Sequence, residues 1–122
     1  MLGSSKVMAF VVTAQPDAAR SFYETTLGLR LVEGTSYALV FDAHGTTLRV
    51  QKVQAVMPAP YTTLGWVVGD IVAAVRELSS RGLPFERFDG LEQDELGIWS
   101  SGGGRIAWFR DPDGNRLSVT QS

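Results

Sequence analysis

Trp108-Phe109-Arg110-Asp111-Pro112-Asp113-Gly114-Asn115 is the stretch from which the rest of the chain can be ordered. Aromatic residues run into a tight turn, where Pro sets φ, Gly accepts positive φ, and Asp and Asn can bond their own backbone. Strand-forming residues flank it at 106–109 and 117–120. An earlier segment is built alike: Asp42-Ala43-His44-Gly45 turns the chain between apolar runs at 37–41 and 47–53. Laying Gly114 on Gly45 aligns Leu117 with Leu48, Val119 with Val50 and Phe109 with Val40. Agreement of this kind around two distant turns marks an internal repeat.

Working outward, the repeat extends to both halves. Val7-Met8-Ala9-Phe10-Val11-Val12 is a continuous run of strand formers. Pro16 suits the first turn of a helix, and Ala18, Ala19, Phe22, Tyr23 and Leu27 fall on one helical face before Gly28 stops it. A strand at 29–32 and the two runs around Gly45 complete the first half. Met57-Pro58-Ala59-Pro60 reads as a linker. The second half restarts with a strand at 64–68. Asp70 then caps a helix carrying Ile71, Ala74, Val75 and Leu78, and Arg81-Gly82-Leu83-Pro84 closes it. Further strands are expected at 85–88, 97–100, 106–109 and 117–120, one of the short ones being marginal. Each half spells strand, helix, then about three strands. The expectation is an α+β chain, one domain over 1–122, with βαβββ modules at 7–56 and 61–121.

Composition removes several kinds of chemistry. The 122 residues are 44% hydrophobic and 20% charged, enough for a real core, and contain no cysteine. Thiol catalysis, zinc–thiolate sites and iron–sulfur clusters are therefore excluded. A net charge of −2, from 11 basic against 13 acidic residues, offers no basic field for nucleic acid. No apolar run is long enough to cross a bilayer, and a secretory signal is not evident, so no membrane partner and a cytoplasmic address are expected. The single histidine, His44, lies in a turn and cannot supply a site that needs two or three imidazoles.

Two motifs now carry a family likeness. Phe22-Tyr23 followed by Leu27-Gly28-Leu29 matches an F-Y-x-x-x-L-G-L pattern, and Phe109 to Asn115 matches F-x-D-P-D-G-N. With the duplication, the chain resembles the vicinal oxygen chelate superfamily of glyoxalases, bleomycin-resistance proteins and dioxygenases. The resemblance implies paired βαβββ modules whose curved sheets enclose an open cleft. In metal-using relatives each module gives one ligand from its first strand and one from its last. The His, Glu or Gln set so formed holds a divalent ion that chelates vicinal substrate oxygens. Carried onto this chain, those positions fall on Met8, Leu64, Arg49 and Ser118, or on Val7, Thr63, Val50 and Val119 with a shift of one. Neither set suits a hard cation. No metal and no other cofactor are expected.

What remains is an apolar, aromatic face with a few polar anchors, as in a small-molecule pocket. Alternation groups Phe10 with Met8, Trp66 with Leu64, Gln51 with Arg49, and Arg116 and Thr120 with Ser118. The expected ligand-binding residues are Phe10, Arg49, Gln51, Trp66, Trp108 and Ser118. Arg49 could fork onto a carboxylate, phosphate or enolate, or else be held by a local acid or solvent. Trp66, Trp99 and Trp108 could stack on a ligand or belong to the core. The second half also carries an acidic insertion with Glu86, Asp89, Glu92, Asp94 and Glu95, which could favour cationic ligands or simply be solvated. The leading reading is a drug- or metabolite-binding protein that works without metal. The alternative is an enzyme, a lyase, isomerase or dioxygenase of the same superfamily with atypical ligands or with Glu86 as a base. As in two-module relatives, a homodimer is expected, the 57–60 linker being the hinge if modules are exchanged.

Overall fold

A computed structural model describes every residue from Met1 to Ser122. The chain divides into two compact units, Met1–Met57 and Pro58–Ser122. In the first, a short 3-10 turn (Leu2–Ser4) precedes β1 (Met8–Thr13), α1 (Pro16–Arg20), β2 (Arg30–Gly34), β3 (Ala38–Ala43) and β4 (Thr46–Lys52). The second has β5 (Thr62–Val67), α2 (Ile71–Ser80), β6 (Trp99–Ser101), β7 (Gly104–Arg110) and β8 (Arg116–Gln121). The sheet orders are β1-β4-β3-β2 and β5-β8-β7-β6. In each, the module's first strand pairs in parallel with its last, and the other pairs are antiparallel. This is the α+β pair of βαβββ modules that the sequence repeat implies.

Local chemistry accounts for the elements. Pro16 opens α1 as its first residue, and Asp70 caps α2 by accepting a 3.1 Å hydrogen bond from the Ala73 amide. Gly28 and Gly82 end the two helical segments at φ 76° and 88°, a conformation that costs an L side chain energy. The first helix does not run as a regular α-helix to Leu27. From Ser21 to Thr26 it widens into a π-helical turn, with the Leu27 amide donating to the Phe22 carbonyl at 2.9 Å. Phe22 and Tyr23, adjacent in sequence, are both buried there, and Tyr23 packs against Phe41 of β3 with ring centroids 5.8 Å apart.

The expected strand at 85–88 does not form. Its one backbone bond to β7 is the Glu86 amide donating to Trp108 O at 2.8 Å. The rest of the segment is held by a side chain. The Gln93 amide nitrogen donates to the carbonyls of Glu86 and Gly97, and its oxygen accepts from the Phe88 amide. A side chain imitating a strand partner leaves 85–97 as an ordered loop, and the third short strand is β6 alone.

Candidate functional site

Alternation gives each sheet two unlike faces. In the first module Leu48, Val50, Leu39, Phe41 and Val11 are buried, and the Tyr23–Phe41 contact identifies this as the helix side. The opposite face carries Met8 and Phe10 from β1, 48% and 55% exposed, with Thr47, Arg49 and Gln51 from β4. Arg49 lies at the centre of this open face, opposite Phe10 on one side and Val40 on the other. It is half-buried, and its guanidinium makes no hydrogen bond and no ion pair. The neighbouring charged pair, Arg30 with Asp42 at 3.7 Å, leaves it unneutralised. Of the roles open to Arg49 in the sequence, an internal ion pair is thus removed. Gln51 is exposed beside it.

In the second module the helix side is built from Leu117, Val119, Ala107 and Phe109, all buried. Trp66 belongs to this side. It is in register with Val119 and stacks on Phe109 at 6.5 Å with a 22° interplanar angle. The expectation that Trp66 lines the open face is therefore corrected, and so is that for Leu64, which is in register with buried Leu117. The cause is parity: Gly65, in register with Ser118, is the open-face residue of β5, and a bulge between Thr62 and Leu64 disturbs the register just before it. The usable signal lay in the helices. Counting back equally from their first residues, Pro16 and Ile71, pairs Val11 with Trp66 and Phe10 with Gly65.

Trp108 and Ser118 do share the open face, in register with each other across β7 and β8. Trp108 is braced edge-to-face by Phe88 at 5.3 Å and lies tilted against Trp99 at 6.3 Å. Next to this row two of the five acids of the expected lip, Glu86 and Asp94, are engaged within the protein, while Asp89, Glu92 and Glu95 stay exposed. Glu86 is bound by Arg110 Nε at 2.9 Å and Arg116 Nε at 3.2 Å, while Arg116 also lies over the Phe88 ring. Both carboxylate oxygens of Glu86 are taken up by guanidinium groups, so neither is free to meet a ligand, and a catalytic role for Glu86 is set aside. Asp94 accepts from the amides of Leu96 and Ile98 and serves its own loop. Asp111 is likewise structural, accepting from the Asp113 and Asn115 amides and from Asn115 Nδ2.

The donor set does not fit a divalent metal. With the first-strand positions counted back from the helices, the positions where the resemblance places ligands hold Met8, Arg49, Thr63 and Ser118. A thioether, a cation and two neutral hydroxyls do not replace His and Glu. No three His, Asp or Glu residues gather anywhere in the chain, and His44 is exposed in the β3–β4 turn at φ 50°. No helix is long and apolar enough to cross a membrane.

A family model described as the Glyoxalase/Bleomycin resistance protein/Dioxygenase superfamily matches residues 7–119. Solved structures with the same fold include a glyoxalase family protein from Bacillus anthracis, with TM-score 0.77, 17% identity, and 98% of this chain and 95% of that one covered. A lactoylglutathione lyase from Agrobacterium tumefaciens follows with TM-score 0.74, 17% identity, and 97% and 94% coverage. A genomically encoded fosfomycin resistance protein from Listeria monocytogenes has TM-score 0.77 at 10% identity, covering 98% and 93%. No curated protein matches the chain.

Proposed function

The chain belongs to the Glyoxalase/Bleomycin resistance protein/Dioxygenase superfamily, and from that premise we propose that it binds a small organic anion on the open sheet face of its first module, without a catalytic metal. One observation carries the reading. Arg49 is a half-buried guanidinium with no partner, set between the apolar side chains of Phe10 and Val40. A planar fork of donors in such surroundings favours a carboxylate, phosphate or enolate oxygen, because apolar neighbours weaken competition from water. Phe10 supplies exposed ring surface for the organic body of the ligand, and the Gln51 amide can donate or accept beside the anion. The site-residue chemistry argues against a Lewis-acid role here, since a fixed positive charge occupies a position where relatives hold a cation.

The test is a charge-matched series: 2-naphthoate, its neutral amide 2-naphthamide, and the basic 2-naphthylmethylamine, titrated by isothermal titration calorimetry. The carboxylate should bind in a manner indifferent to chelators. Arg49→Gln should weaken it roughly ten- to hundredfold, corresponding to the about 1.5–3 kcal/mol of a hydrogen bond to a charged group. Preference for the amine, or a carboxylate affinity that Arg49→Gln leaves alone, would overturn the reading.

A further inference from the structure

The second module presents a different surface at the row equivalent to Phe10–Arg49–Val40. There the row reads Gly65–Ser118–Trp108. A glycine inside a strand often marks close approach by another group, and here its reason is visible. A Cβ placed on Gly65 would come within 2.6 Å of Ser118 Oγ, so the hydroxyl leans over bare backbone. Ser118 is only 7% exposed, and its hydroxyl takes part in no hydrogen bond within the protein. No buried side-chain polar atom of the chain lacks a partner, so the unpaired Ser118 hydroxyl keeps its small exposure on the open sheet face, where a group from outside can meet it. Trp108 stands on the other side of Ser118, its indole fixed by Phe88 and Trp99.

We propose that Gly65, Ser118 and Trp108 form a subsite for a planar, uncharged ring bearing a hydrogen-bond acceptor. The ring lies over the Gly65 backbone against the Trp108 indole, and Ser118 Oγ–H donates to a carbonyl oxygen or ring nitrogen. A charged group is disfavoured, because a neutral hydroxyl and an indole do not compensate its lost hydration. The adjacent Glu86, Arg110 and Arg116 are already bonded to one another and to backbone carbonyls. The inference rests on the open faces being ligand-binding surfaces, as proposed above, but makes no use of Arg49.

The probe is 2-naphthamide, with 2-naphthoate alongside to keep the two proposals apart. Binding to the full chain is followed by NMR of the tryptophan indole N–H signals, Trp108 being assigned from Trp108→Phe. 2-Naphthamide should move the Trp108 signal, and Ser118→Ala should weaken it about five- to tenfold, the scale of one neutral hydrogen bond. Gly65→Ala is tested in the Ser118→Ala background. There the clashing hydroxyl is gone, and the new methyl meets the residue 118 backbone oxygen at 3.4 Å and its Cβ at 3.9 Å, both ordinary contacts. That double variant should melt like Ser118→Ala yet bind no 2-naphthamide. The proposal is overturned if wild-type protein fails to bind 2-naphthamide, or if it binds equally to both variants. Loss of Arg49 dependence for 2-naphthoate, with Ser118 dependence of 2-naphthamide intact, would remove the anion reading and leave this one standing.

Discussion

Arg49 and Glu86 show how differently one charge can be housed at the scale of a residue. Arg49 has no counter-ion, whereas Glu86 has two, with its side chain 23% exposed and that of Arg116 only 16%. Neutralising each should therefore have opposite effects. Arg49→Gln should leave the urea midpoint unchanged or raise it, since no favourable contact is lost. Glu86→Gln should lower stability by about 1–3 kcal/mol, because two half-buried guanidinium groups lose their shared acceptor. Equal midpoints for the two variants would refute this assignment of partners. In the sequence, Arg49 was legible as an anchor because turn alignment places it at a position where the resemblance puts a ligand. The fate of Glu86 was not, since its partners lie 24 and 30 residues away and only the folded loop brings them together.

Strands and helices were the most legible level, and also where one misreading had the largest effect. Turn glycines, the proline at the start of α1 and the Asp70 cap are local signals, and each stands where local chemistry puts it. Asp70→Ala should cost about 1 kcal/mol by thermal melting, the usual worth of a side-chain cap. The bulge before Leu64 has no compositional mark, yet it accompanies a strand whose outward residues are Gly65 and Val67 rather than Leu64 and Trp66. The observable consequence concerns Trp66. Trp66→Ala should lower stability by about 3 kcal/mol through loss of its stacking on Phe109, while the affinities of 2-naphthoate and 2-naphthamide stay within twofold of wild type. A selective loss of ligand affinity at unchanged stability would return Trp66 to the open face. The 85–97 loop escaped the sequence for another reason. Apolar Phe85 and Phe88 look like strand residues, but whether a strand forms depends on what the Gln93 side chain bonds.

For the whole molecule, the defining event in each module is closure of its first strand onto its last. β1 meets β4 and β5 meets β8 across most of each module's length, so both sheets depend on contacts between residues far apart in sequence. Closure places β4 and β8 between two partners and leaves β2 and β6 on edges. Amide hydrogen exchange should follow that order, slowest at Leu48, Val50, Leu117 and Val119 and fastest in β2 and β6. Early exchange in β4 or β8 would contradict the strand order. The same alternation that divides each sheet into a packed and an open face also has a hereditary meaning. Along β4, codons for Leu48 and Val50 answer to the fold, and the interleaved codons for Thr47, Arg49 and Gln51 answer to whatever the protein meets. Selection can rewrite one set while purging change in the other, within the same few nucleotides. The two modules carry that arrangement twice over, with Phe10–Arg49 on the open face of one and Gly65–Ser118 on that of the other.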